Sequence, residues 1–318
     1  MKSDNWKIHT GDCVEIIKGI SANSVQSVIT SPPYYGLRDY GHDGQIGLEK
    51  TPEAYVAKMV EVFREVRRVL RDDGTVWLNI GDSYAGSGKG GQSAEKRSAG
   101  WQPTYANKGY VPPDCKPKDL IGIPWMLAFA LRTDGWWLRQ DIIWHKPNPM
   151  PESVLDRCTR SHEYLFLLSK SAQYYFDANT VREPLSESTK MRDKTPRGRS
   201  QNGGGSAESM AGYDYSRENL GNMTSNPSGR NRRSVWSINT KPYKGAHFAV
   251  MPEALVEPCV LAGSKAGDTI LDPFAGSGTV GVVALRHGRD FVGCELNSEY
   301  VEIAEMRITE SLKQLSFL

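Results

Sequence analysis

Long hydrophobic runs are missing from this 318-residue chain. No stretch approaches the ~18 consecutive apolar residues that a membrane-spanning helix requires. The polar start, Met1 to Thr10, has no apolar core of the kind a secretory signal carries. A membrane partner is therefore not expected, and the cytoplasm is the expected location. Cysteine is scarce as well. Cys13, Cys115, Cys158, Cys259 and Cys294 stand at scattered spacings with no C-x-x-C pair, so neither a disulfide framework nor a metal site is expected. No internal repeat is present. Charge of one sign is also lacking overall, because 39 Lys and Arg nearly balance 37 Asp and Glu, for a net of +2. The distribution is uneven, however. Residues 171–246 hold 12 basic and 7 acidic residues, a net of +5, while the remainder is net −3. A local basic segment is what a polyanion-binding surface requires, although a solvated basic loop has the same composition.

Regular elements flank that segment. Val25–Thr30 is a β-branched run that stops at Ser31-Pro32-Pro33-Tyr34. A helix is predicted from Pro52 to about Leu70, with Thr51 as N-cap and Val56, Met59, Val60, Phe63 and Leu70 at helical spacing. A buried strand, Thr75–Ile80, follows. Residues 81–118 are rich in Gly, Ser, Lys, Tyr and Pro and read as a long loop, of the kind that is either functional or disordered. A helix is expected from Leu120 to Leu131, and strands at Trp137–Trp144 and Tyr164–Leu168. Residues 184–233 read as irregular. The C-terminal part alternates again: helix 253–262, strand 269–271, helix 280–286, strand 291–294 and helix 298–315. Alternating strands and helices imply an α/β fold with a mostly parallel sheet.

Two motifs carry chemistry. In Asp272-Pro273-Phe274-Ala275-Gly276-Ser277-Gly278-Thr279 a strand runs into a glycine-rich turn and then a helix. Glu295 lies at the tip of the next strand, where a Rossmann-like sheet holds ribose hydroxyls. The absent third glycine argues against a pyrophosphate and for another nucleoside-bearing cofactor. In Thr30-Ser31-Pro32-Pro33-Tyr34 two prolines remove backbone donors. A carbonyl and the Ser31 hydroxyl are left to accept hydrogens from an amine, beside an aromatic face that suits a nucleobase. Taken alone, this motif reads more simply as a rigid Pro-Pro turn whose tyrosine only packs.

Together, DPFAGSGT and TSPPY resemble the cofactor and catalytic motifs of S-adenosylmethionine-dependent DNA amino-methyltransferases. The catalytic motif precedes the cofactor motif, with the basic segment between them. That order resembles the β-class, a circular permutation of the Rossmann-like methyltransferase fold. The resemblance implies a catalytic half at 1–170, a target recognition region at 171–241 and a cofactor-binding half at 242–318. It implies S-adenosylmethionine contacts at Asp12, Cys13, Phe248, Met251, Asp272, Phe274, Ala275, Gly276, Ser277, Gly278, Thr279 and Glu295. Catalytic roles are implied for Ser31, Pro32, Pro33 and Tyr34, and a DNA contact for Lys146; the basic charge of the two irregular segments places further expected DNA contacts at Lys89, Arg230, Arg232 and Arg233. Trp144 to Pro149 and His162-Glu163 resemble the target-base side of the pocket. His247–Pro252 (HFAVMP) stands where the family closes over the methionine moiety, and departs from the usual His-Pro-x-x-Lys-Pro. Double-stranded DNA, a homodimer and a cognate restriction endonuclease are the implied partners. Ser before Pro-Pro is typical of cytosine N(4) enzymes, and Asp or Asn of adenine N(6) enzymes, so cytosine is expected and adenine is the alternative. Methylation of RNA or of a protein amide, and a non-enzymatic nucleic-acid module, fit the motif order less well. Cytosine C(5) chemistry needs a nucleophilic cysteine, and Cys259, in an amphipathic run, reads as a packed hydrophobe.

Overall fold

The computed structural model describes residues 5–37, 41–42, 44–86, 111–194, 228–240 and 250–315. Met1–Asp177 with Ser234–Leu318 forms one compact unit, and Ala178–Arg233 forms another.

The larger unit is built on an eight-stranded sheet in the order β1-β8-β7-β2-β3-β5-β4-β6. In chain order the strands are β1 Trp6–Thr10, β2 Val25–Thr30, β3 Leu70–Ile80, β4 Trp137–His145, β5 His162–Ser169, β6 Val235–Ser237, β7 Thr269–Asp272 and β8 Asp290–Glu295. Only β5 runs against the others: it is antiparallel to β3 and β4, and every other pairing is parallel. The expectation of a mostly parallel α/β sheet holds. Seven strands therefore end at one edge of the sheet, and the antiparallel β5 begins there.

The helices are α1 Cys13–Lys18, α2 Pro52–Val69, α3 Ile123–Thr133, α5 Glu253–Gly263, α6 Thr279–Arg286 and α7 Ser298–Leu315, with α4 Glu187–Lys194 in the smaller unit. Thr51 caps α2 through its side chain, which accepts from the Ala54 amide, and Pro52 occupies the first turn. Met59, Phe63, Val66 and Val69 of α2 are fully buried, while Leu70 belongs to β3 rather than to the helix. Alternate sheet residues divide between two faces. Val28, Val76, Leu78, Ile80, Phe166 and Leu168 join the core under α1, α2 and α3. Trp77 points the other way, to Phe176 and Trp236, on the face where α5 packs against β2 and β3.

Two expectations need correction. Helix α3 starts at Ile123, and Leu120 is exposed. Its N-terminal amides are satisfied by Asp82, which accepts from Gly122 and Ile123 at 3.0 and 3.1 Å, a cap supplied from 40 residues away. Residues 184–233 are not wholly irregular, since they contain α4. Short β6 went unread because three residues carry no periodicity; it exists as the edge partner of β4. Most of the predicted 81–118 loop lies outside the described residues. Tyr84, near its start, bridges to Leu120, two residues past its end.

Candidate active site

The connections β2–β3 and β7–β8 lead in opposite directions along the sheet, so β7 and β2 flank a topological switch point, where α/β sheets open a crevice at their carboxyl ends. A cavity of about 930 Å³ lies there. It takes in Asp12 and Cys13 after β1, Ser31–Tyr34 after β2, Gly81 and Asp82 after β3, Lys146 after β4, His162 and Glu163 at the start of β5, Asp272–Ser277 after β7 and Glu295 after β8. Chain segments from both ends of the sequence thus meet at one edge.

At the β7 end, Asp272 is buried, and its Oδ1 accepts from Thr30 Oγ1 at 2.6 Å and from the Phe274 amide at 3.0 Å. Burial pushes its carboxyl up to about 7, against the hydrogen bonds from Thr30 and Phe274 and with the Glu295 carboxylate adding to the rise. Glu295 accepts from the Gly276 amide at 2.8 Å through Oε2 and from the Asn297 amide at 2.9 Å through Oε1. Burial again raises its pKa, against those two hydrogen bonds. Arg307 bonds the Ser277 carbonyl and Oγ, fixing the turn from α7. Asp12 caps α1 by accepting from Val14 and Glu15. The Cys13 thiol is buried and its pKa is pushed up to about 12, which suits a packed wall and not a nucleophile.

The two glycines of the turn differ. Gly276 has φ +50°, and a Cβ there would meet nothing nearer than the Phe274 carbonyl at 4.0 Å, so its open side faces the cavity. Gly278 has φ +74°, and a Cβ there would lie 2.8 Å from Ala304 Cβ. It does not line the cavity. Its smallness lets α6 pack on α7. Thr279 and Ala275 line the cavity, as does Met251, whereas Phe248 and Lys89 lie outside the described residues.

At the β2 end, the Pro33 carbonyl accepts from the buried Tyr55 hydroxyl at 2.9 Å, which anchors the turn to α2. The Tyr34 ring rests on Gly81, where a Cβ would come within 2.6 Å of Tyr34 Cε2. Its hydroxyl donates to Glu163 Oε2 at 2.7 Å and lies 3.5 Å from Ser31 Oγ. Burial and the neighbouring Glu163 carboxylate hold the Tyr34 phenol well above its ordinary value, so it stays protonated. Glu163 also accepts from Asn79 Nδ2 at 3.3 Å and pairs with Lys146, whose ammonium sits 4.3 Å from the Trp144 ring centre. Sequence reasoning missed Asn79 and Gly81. A strand-end Asn-x-Gly is too common a pattern to single them out.

In the smaller unit Arg230 and Arg233 each pair with Glu183 Oε2 at 3.0 Å. One carboxylate thus offsets half the charge of these two proposed DNA contacts. Cys259 is buried in α5, its Sγ 3.2 Å from the Leu255 carbonyl, as a packed small hydrophobe would be.

Residues 25–306 match the N6/N4 DNA methylase family. The chain belongs to that family. It is a DNA amino-methyltransferase with the Rossmann-like methyltransferase fold, and DNA methylases take their methyl group from S-adenosylmethionine. Among its relatives, the type II methyltransferase M.SmaI of Serratia marcescens is 48% identical over 95% of this chain and 90% of its own. M.Cfr9I of Citrobacter freundii is 47% identical over 94% of this chain and 86% of its own. Among solved structures, the cytosine-N4-specific PvuII DNA methyltransferase superposes with a TM-score of 0.63 at 18% identity, covering 98% of this chain and 92% of that one. A putative DNA modification methylase of Thermus thermophilus in complex with S-adenosylmethionine gives 0.55 at 23%, covering 96% and 95%. At these identities the structures speak to the fold. Among the described residues, no helix of the methyltransferase is long and apolar enough to cross a membrane.

Proposed function

We propose that this enzyme methylates the exocyclic N(4) of cytosine in duplex DNA at a specific sequence, after drawing the base out of the stack. The observation that carries this reading is the Ser31-Pro32-Pro33-Tyr34 turn, braced by Tyr55 and Glu163, in the same cavity as the glycine turn and Glu295.

The residues around the glycine turn fit the cofactor. Gly276 leaves an open cradle, Glu295 retains acceptor capacity for a ribose diol, and Asp12, Phe274 and Met251 complete the walls. S-adenosylmethionine, when bound there, supplies an electrophilic methyl group. The protein's own part is positioning and electrostatics. Ser31 Oγ and the Pro32 carbonyl accept hydrogens from the target amine and draw its lone pair out of conjugation with the ring. Tyr34, fixed by Gly81 beneath and Glu163 at its hydroxyl, offers a preset stacking face. Serine before Pro-Pro favours cytosine over adenine. Its relatives' designation as type II methyltransferases supports a partner restriction endonuclease and a cytoplasmic site of action. Arg230, Arg232 and Arg233, with Lys146 and Lys89, are the proposed phosphate contacts.

Mass spectrometry of nucleosides from DNA methylated by the enzyme tests the reading. N(4)-methylcytosine is expected, and N(6)-methyladenine would overturn the choice of base.

A further inference from the structure

The loop joining β4 to β5, residues 146–161, borders the cavity through Pro149, Met150, Glu152 and Arg160. Exposed apolar side chains are ordinary on a protein surface. Here the two most exposed large apolar residues of the described chain, Met150 at 86% and Leu155 at 104%, both stand on this one loop. The loop is also stiff. Pro147, Pro149 and Pro151 fix φ at alternate positions and restrict the residues before them. Its base is tied down: Asn148 exchanges two hydrogen bonds with the Thr240 backbone, at 2.9 and 3.2 Å. Its far limb is held by the Glu152–Arg157 pair at 2.6 Å and by Arg160 on the Asp82 carbonyl. Lys146, Arg157 and Arg160 outnumber Glu152 and Asp156 along the loop, so it approaches a polyanion without repulsion. A rigid, weakly cationic loop with bare apolar tips, bordering through Met150 the cavity that takes in the Ser31–Tyr34 turn, matches the wedge side chains that proteins insert between base steps.

We propose that Met150 and Leu155 enter the duplex beside the target and occupy stacking space that the extruded base vacates. The partner is the base stack of duplex DNA. The inference rests on the base-extrusion reading above. Because both residues are exposed, truncating them leaves the core intact, so Met150→Ala, Leu155→Ala and the double variant should fold with an unchanged melting temperature and bind S-adenosylmethionine normally in calorimetry.

Single-turnover methylation is then measured on two duplexes, one fully paired and one with the target base opposite an abasic site, where extrusion costs less. The double variant should lose about tenfold or more on the paired duplex and recover most of that on the abasic one, because the wedge offsets unstacking. Equal loss on both substrates, or loss on neither, would overturn the wedge. A lower oligomer mass for the double variant in light scattering would also overturn it, by assigning the apolar tips to a second copy of the chain. 2-Aminopurine at the target position separates the two layers of the argument. If it stays quenched with the unmodified enzyme, base extrusion itself fails. If it brightens equally with the unmodified and double-variant enzymes, only the wedge fails.

Discussion

Asp272→Asn isolates a buried charge that costs stability and that, in the proposed cofactor site, should favour binding. Asn keeps an Oδ1 that accepts from Thr30 and Phe274, and it carries no charge, so it mimics the protonated acid. Moving the carboxyl from its ordinary 3.8 up to about 7 corresponds to at most ~4 kcal/mol of destabilisation when the group ionises. The sign follows from proton binding. Between pH 4 and 7 the folded state holds a proton that the unfolded state has lost, so stability falls as pH rises through that window and levels off above it. The Asn variant lacks this fall. Urea unfolding at pH 5, 6, 7 and 8 should therefore show the variant gaining on the parent with rising pH, by at most ~4 kcal/mol at pH 8. Glu295 also titrates abnormally, and comparing the two curves cancels its share. Affinity for the cationic cofactor should do the reverse. In the parent it should tighten as pH rises through 7, and in the variant it should be weaker and flat. Parallel stability curves for the two proteins would show instead that Asp272 is solvated well enough to ionise freely, against the burial on which this expectation stands.

Ser31→Ala should lower the methyl-transfer rate at saturating DNA more than it weakens DNA binding, since the lost contact strengthens as nitrogen becomes tetrahedral; equal effects on both would count against it. Tyr34→Ala removes a stacking surface of about 1–3 kcal/mol per base and should cut 2-aminopurine fluorescence. Tyr34→Phe should do less but is not silent, because it strips a 2.7 Å hydrogen bond from Glu163. Gly276→Val should abolish cofactor binding in calorimetry, and because Gly276 sits at φ +50° it should also cost the fold about 1–3 kcal/mol of backbone strain, so binding is measured where circular dichroism shows the variant folded. Gly278→Ala should mainly destabilise the fold, by about 1–3 kcal/mol from strain and overpacking, because its Cβ would press on Ala304. Neutralising Arg230, Arg232 and Arg233 should flatten the salt dependence of DNA binding by less than the full ~0.9 per phosphate contact, because Glu183 already offsets part of the charge; an unchanged slope would remove them as phosphate contacts.

Elements that rest on local patterning were legible in the amino-acid string. The apolar face and caps of α2, the β-branched run of β2 and the strand–turn–helix around Gly276 depend on spacing within one segment, and they appear within a residue or two of where the pattern puts them. The two motifs and their permuted order were likewise legible, because each is a contiguous string. Whatever depends on residues far apart in the chain was set by packing. Packing brought Thr30 to Asp272, and Tyr34 to Glu163 and Gly81. It also separated two glycines only two positions apart, one open to the cavity and one pressed on α7. It gave the Tyr34 hydroxyl a partner that a stacking role did not require, and paired the basic residues 230 and 233 with Glu183. The physical reason is that sequence periodicity reports which side of an element is apolar, whereas a carboxylate's partner, and the space around a Cα, are set by which other element packs there.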